Sequence, residues 1–86
     1  MKVIAQTPIT KPSPATSRGC VVIRESETQY VVHTAEADQD GNLIAFYWGY
    51  YIRKDEPRAL RRAVVIMCRK AASFYGFTTD EVMEVP

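Results

Sequence analysis

The dipeptide Asp40-Gly41 constrains the fold more than any other feature of this chain. It separates two runs rich in β-branched and aromatic residues, at 30–37 and 43–52. Asp-Gly between two such runs is the strongest short-range signal for a β-hairpin, because glycine readily adopts the positive φ that a tight turn requires. We therefore predict two antiparallel strands joined by a turn at 38–42.

One strand precedes this hairpin and one long helix follows it. The apolar, β-branched run at 19–25 predicts the first strand of a meander, and a polar turn at 26–29 leads into the hairpin. Pro57 suits the first turn of a helix, where its missing amide has no partner to lose. Asp55 or Glu56 can cap that turn.

The last residues predict a stop and a second, short helix. Glycine commonly follows the last turn of a helix, so Gly76 predicts that the long helix ends near Tyr75. Thr78 and Glu81 have the spacing of a capping box, which predicts a short terminal helix near 79–84.

The N-terminal residues differ in composition. Three prolines among serines and threonines at 8–18 predict an extended arm, because proline lacks the amide donor that strand pairing needs. Residues 1–7 form either a fourth, N-terminal edge strand or a loose terminus. We predict an arm at 1–18 and one domain at 19–86. Its fold class is α+β: a three-stranded antiparallel β-meander packed on one long C-terminal α-helix.

The run "AFYWGYYI" at 45–52 is the most unusual segment, because both faces of this predicted strand are aromatic. We assign the larger face to the core beneath the helix, and we expect Ala63 and Ala71 to leave room for the ring of Trp48. The predicted core face comprises Ile44, Phe46, Trp48, Tyr50 and Ile52, and the apolar helix stripe comprises Leu60, Ala63, Val64, Met67, Ala71, Phe74 and Tyr75.

Two other surfaces are candidates for partner binding. One helix covers one face of a sheet, and monomers rarely leave a second, aromatic face bare, so the N-terminal arm, a second copy or a partner should cover it. The far side of the helix carries arginines around an apolar residue, which fits either a protein interface or a merely solvated face. The candidate residues are His33, Tyr47, Gly49, Tyr51 and Arg53 on the sheet, and Arg58, Arg61, Arg62, Val65 and Arg69 on the helix.

The residues that could bind metal are too few and too scattered for a metal site. Cys20 and Cys68 lie far apart without a CxxC motif, and the chain has a single histidine, so we expect two buried free thiols. A disulfide between them is the less common alternative. The acidic turn at 38–42 resembles the start of a calcium loop but lacks its late glutamate, so we interpret it as turn chemistry.

The sequence also argues against an enzyme and against membrane association. No GxSxG, HExxH or phosphate-binding loop occurs, and no cofactor is expected. The first ten residues lack the apolar segment of a signal peptide, and the apolar runs are too short to span a bilayer. We therefore expect a small, non-enzymatic cytoplasmic protein.

Charge and element order keep nucleic-acid binding open as an alternative. The net charge is only +1, although the basic residues concentrate at 53–70. The order of three strands and a helix over 20–75 resembles the arm-site domains of phage integrases and plant ethylene-response-type domains, which lay an open sheet face in the DNA major groove. That resemblance covers the order of elements without a matching motif, so it assigns no residues. If the open face bound DNA, the candidate contacts would be Arg24, His33, Tyr47, Tyr51 and Arg53. Acidic residues in the turns would repel phosphate.

The aromatic run is also similar to the aromatic strand of RNA-recognition domains, but the β-β-β-α order and the missing Lys/Arg-Gly-aromatic pattern argue against that fold. The favoured function is a protein-interaction module, an adaptor, regulator or inhibitor of the kind that phages and mobile elements encode. It would bind another protein or form a homodimer. The alternative is a DNA-binding β-β-β-α domain that uses the open sheet face.

Overall fold

A computed structural model describes residues 1–10 and 18–75, the last two of these without their side chains. Four strands form one antiparallel sheet in chain order, and one helix follows them. This confirms the α+β meander with a fourth strand at the N-terminal edge. Within the described residues, no helix combines the length and the apolar character needed to cross a bilayer. The elements are β1 (Lys2–Gln6), β2 (Arg18–Glu25), β3 (Gln29–Ala37), β4 (Leu43–Arg53) and α1 (Ala59–Tyr75).

Three sequence predictions fall on other parts of the chain. Most of the predicted proline-rich arm, the glycine stop at Gly76 and the short helix near 79–84 lie outside the described residues. The arm does begin in the described part, because Thr10 forms an antiparallel bridge with Gly19. The boundary drawn between an arm and a domain near residue 18 stays a prediction.

The predicted hairpin turn is confirmed in detail. Gly41 has a φ of 85°, and its N–H donates to the carbonyl of Asp38 at 3.1 Å. The Asp38 carboxylate accepts the backbone N–H groups of Asp40 and Asn42, each at 2.9 Å. The hydrogen bond from the backbone N–H of Asn42, ahead of the other contacts, lowers the pKa of Asp38. The Asp38 carboxylate of the acidic turn therefore accepts hydrogen bonds from the backbone of the same turn.

The N-terminal chain follows β2 beyond the end of β1. Thr7 is fully buried, and its N–H donates to the carbonyl of Val21 at 2.9 Å. The Val21 N–H donates in turn to the Thr7 hydroxyl at 2.9 Å. This reciprocal pair fixes the first residues of the chain to the sheet.

The helix packs on the sheet through small side chains. Apart from Cys68, its buried positions recur every four residues, which is one face of a helix. Three of the four residues at this spacing are alanine, so the helix backbone approaches the sheet closely, over Val21, Ile23, Val32 and Ile52. Leu60, which we predicted in this stripe, is instead exposed because it lies just off this face. The four positions are Ala59, Ala63, Met67 and Ala71.

The helix begins later than predicted, and the predicted caps act elsewhere. Arg58 has a φ of 56°, which breaks the helical path, so α1 starts at Ala59. The carboxylate of Glu56 accepts the N–H of Arg53 at 3.1 Å and pairs with Arg62 at 2.8 Å. Glu56 therefore ties the end of β4 to the first turn of α1 by its side chain, and the prediction that it caps the helix is wrong.

The cysteine prediction is confirmed. Cys20 and Cys68 are both buried and unbonded to each other, and they lie in different apolar clusters on the two faces of the sheet. Burial raises the pKa of Cys20 to about 11 and also raises that of Cys68. Both thiols are therefore poor nucleophiles at neutral pH.

Candidate interaction surface

The aromatic run contains a β-bulge that changes which residues share a face. Trp48 and Gly49 of β4 lie opposite the single β3 residue His33. Trp48 has a φ of 49°, the left-handed conformation that glycine often adopts in such bulges. Because one residue is added, the side chains of residues 45–47 lie on the opposite faces from those expected for an uninterrupted strand. A second register shift, between the pairs Glu36–Ala45 and Ala37–Leu43, lies at Ile44 and returns Leu43 to the face away from the helix.

The bulge overturns most of the predicted core face. Phe46 lies on the face away from the helix, where it packs against a cluster around Val22. Trp48 is 71% exposed and Ile44 is 59% exposed, so neither lies beneath the helix. Only Ile52 is buried there as predicted. The prediction was wrong because it assumed strict alternation through Gly49.

The two tyrosines that we expected on one face lie on opposite faces. Tyr51 pairs with Val31 on the open face, away from the helix, whereas Tyr47 pairs with Thr34 on the helix side of the sheet. Both side chains are exposed. The predicted patch of two tyrosines around one glycine therefore does not exist as a single surface.

The glycine of the bulge allows close packing on the open face. A Cβ atom on Gly49 would lie 3.0 Å from His33 Cε1 and 3.0 Å from Tyr51 Cε2. Real Cβ contacts are rarely this short, so a larger residue would displace the Tyr51 ring. Gly49 and Tyr51 thus remain neighbours, as predicted.

The open face is partly covered by the N-terminal chain. Ile9 packs against the cluster of Cys20, Val22 and Ala35. The Arg24 guanidinium stacks over the Phe46 ring, with its central carbon 4.2 Å from the ring centroid. We considered the N-terminal arm, a second copy and a partner as covers for this face. The arm covers its end near Cys20.

His33 is a buried member of this face. It is 7% exposed, its ring centroid lies 5.6 Å from that of Phe46, and its Nδ1 makes no hydrogen bond within the described part of the chain. Burial lowers the pKa of His33, and the positive charges of Arg24 and Lys70 lower it further against an opposing contribution from the Tyr47 backbone. A neutral, buried imidazole is poorly placed to bind a partner.

We expect the free energy of unfolding to fall as the pH is lowered from about 7 to about 5, because the unfolded chain protonates His33 near 6.5 while the folded chain resists protonation. Glu25 and Asp38 also have lowered pKa values, but their effect begins below about 4.5 and is separate. Urea unfolding of wild type and His33→Gln at both pH values tests this. An equal loss in the variant would contradict the assignment.

A groove lies between the arginine face of α1 and β4. The helix lies mainly across β2 and β3, so the part of the sheet beside β4 is less covered. This leaves a groove of about 410 Å³. Tyr50 lines it from the sheet, and Val65 and Ile66 line it from the helix. The other lining residues are Arg58, Arg61, Arg62 and Arg69.

The groove carries a local excess of positive charge. Arg62 is paired with Glu56, at 2.8 Å. Within the described residues, Arg58, Arg61 and Arg69 make no ion pair. Arg53, the remaining predicted contact, pairs instead with Asp55 in the turn between β4 and α1. The groove can therefore accept negative charge from a ligand.

The structure brings the predicted helix residues together and separates the predicted sheet residues. All five helix candidates line the groove, whereas Tyr47 and Tyr51 lie on opposite faces and His33 is buried. Sequence reasoning missed Tyr50 and Trp48, which it placed in the core. The available signal was Gly49, because glycine inside a strand often marks a bulge.

No known family, curated protein or solved structure matches this chain. Within the described residues, no three histidine, cysteine, aspartate or glutamate side chains come together in a way that could hold a metal ion. The groove and the strand beside it are therefore the candidate functional surface.

Proposed function

We propose that this chain is a non-enzymatic protein-interaction module, an adaptor, regulator or inhibitor, whose binding surface is the groove together with β4. The observation that carries this proposal is the exposure of large aromatic side chains on one strand beside an arginine-lined groove. Tyrosine, tryptophan and arginine are the residues that dominate binding hot spots in protein interfaces. Here Tyr50 is exposed beside four arginines, and Trp48 is exposed at the bulge of the same strand.

The position of the strand adds support. β4 is at the edge of the sheet, and no strand among residues 1–10 and 18–75 pairs with its outer side. Long edge strands expose backbone donors and acceptors that pair readily with another chain. The bulge at Trp48 and Gly49 interrupts this edge and leaves its last residues, toward Arg53, adjacent to the groove.

The DNA-binding alternative receives less support from the same geometry. It requires the open sheet face, yet Ile9 covers part of that face and His33 is buried in it. Arg24 is stacked on Phe46 rather than extended from the sheet. The exposed arginines lie on the helix side instead, next to an apolar residue, Val65.

The test is affinity capture from an extract of the native host, followed by reconstitution with each purified candidate partner. We expect Arg61→Glu with Val65→Asp to weaken a reconstituted complex at least tenfold, because it reverses one charge of the groove and adds another at its apolar residue. Arg18→Glu is the control, since Arg18 is exposed at the start of β2. Circular dichroism confirms that both variants fold.

Two outcomes would refute the proposal. One is a complex that the groove variant and wild type form equally well. The other is capture that depends on nucleic acid, recognised by its loss after nuclease treatment and by a steep fall of affinity with salt. Light scattering of the pure protein separates a homodimer from a complex with another protein.

A further inference from the structure

Next to the groove, the outer edge of β4 exposes the backbone of Tyr51 for pairing. Lys54 donates its N–H to the carbonyl of Thr28 at 2.9 Å, and hydrogen-bonded pairs alternate along an antiparallel ladder. Ile52 and Tyr50 therefore bond inward to β3, whereas Tyr51 directs its N–H and carbonyl to the outer edge. The backbone N–H and carbonyl of Arg53, two residues later, also point to the outer edge.

The backbone hydrogen bonds of Arg53 confirm that it points to the outer edge, and they leave none of its backbone groups for a partner strand. Its N–H donates to the Glu56 carboxylate at 3.1 Å, and its carbonyl accepts the Glu56 N–H at 3.1 Å. The turn therefore occupies the edge at Arg53, and the bulge interrupts it at Trp48. Between them, a short stretch centred on Tyr51 remains.

We infer that this stretch takes up an extended acidic segment of a partner protein as an added β-strand; this rests on the function proposed above. A partner residue that pairs with Tyr51 points to the open face, so the residues before and after it point to the helix side. There they meet the groove, where Arg58, Arg61 and Arg69 carry charge. The segment therefore has the pattern acidic, apolar, acidic.

Charge argues against a second copy of this chain as the occupant. Two β4 edges paired around a twofold axis would extend the sheet and put both helices on the same side of it. The two arginine-lined grooves would then face each other across the seam, and like charges would repel. An acidic partner gains from the same charges.

The apolar lining argues for a peptide rather than a nucleic acid. Val65 is exposed and Ile66 half-buried in the groove, where they offer contact to the methylene groups of a glutamate side chain. A phosphate backbone has no comparable apolar surface to bury against these side chains. The net charge of the chain is also only +1. Single-stranded nucleic acid is therefore an outcome that would overturn the inference.

The test measures fluorescence anisotropy of a labelled, end-blocked peptide, Ser-Val-Glu-Tyr-Glu-Val-Ser, with the full chain. We expect saturable binding. Replacing both glutamates by lysine should abolish binding, and N-methylation of the central tyrosine amide should weaken it at least tenfold, because it removes one backbone hydrogen bond and adds a clash. Arg61→Glu with Arg69→Glu should weaken binding at least tenfold, and Arg18→Glu less than twofold.

The milder pair Arg61→Gln with Arg69→Gln serves if the charge-reversed variant does not fold. Equal binding of the N-methylated peptide would refute strand addition, and equal loss in Arg18→Glu would show diffuse attraction only. Tighter binding of an eight-nucleotide single strand, or no peptide binding, would also overturn the inference. If the peptide fails while the captured complex still requires Arg61 and Val65, the proposed function stands and only the class of segment is wrong.

Discussion

Replacing Ile52 by alanine should lower the free energy of unfolding by about 3 kcal/mol, whereas Ile44→Ala should cost less than about 1 kcal/mol. Both isoleucines lie in β4, and strict alternation would put both beneath the helix. The structure separates them: Ile52 is fully buried in the cluster under α1, whereas Ile44, at a second register shift near the start of β4, is 59% exposed. The same side-chain truncation therefore leaves a cavity at one site only.

The measurement is urea unfolding of both variants at neutral pH, with circular dichroism as the signal of unfolding. A loss of this size is a large part of the stability of a domain of 86 residues, so Ile52→Ala should unfold at markedly lower urea. Equal losses at the two sites would mean that β4 alternates without its two register shifts and that the predicted core face was right after all.

The order of the elements could be predicted because each has a local signal. Asp40-Gly41 has little alternative to a turn, and Gly41 adopts the positive φ that this requires. The β-branched runs on either side form strands with apolar side chains on at least one face, whatever their register. These signals act within a few residues, so a single sequence contains them.

The distribution of side chains between the two faces of β4 could not be predicted in the same way. It depends on the additional residue at each of two register shifts, and an aromatic run satisfies either assignment because both faces contain large apolar side chains. The left-handed backbone of Trp48, with its φ of 49°, is strained and persists only because the surrounding sheet imposes it. That is a property of the paired strands and not of the run itself.

The arginine face shows the opposite situation. The residues of this face that belong to α1 were found from helical spacing alone, because α1 is regular from Ala59 onward. What the spacing could not reveal is the strand that faces them. Tyr50 reaches the groove only because the helix lies over β2 and β3, which is decided by the small side chains beneath it.

Trp48 should therefore matter more for binding than for folding. We expect Trp48→Gly to change the free energy of unfolding by no more than about 1 kcal/mol, because relief of the left-handed backbone offsets the flexibility that glycine adds. The same change should weaken the reconstituted complex about thirtyfold or more, as loss of an exposed tryptophan hot spot does.

The measurement pairs urea unfolding with titration of the purified partner, and Trp48→Phe is the matched control that keeps an aromatic ring at the bulge. Trp48→Phe should retain most of the affinity. A loss of stability above about 2 kcal/mol in Trp48→Gly would mean that the side chain holds the strand in place. Unchanged affinity would remove Trp48 from the binding surface. Trp48 is strained in the fold and mostly exposed to solvent, so a partner that covers its ring adds to the contact that it already makes with Tyr47. This position therefore separates a binding strand from a merely irregular one.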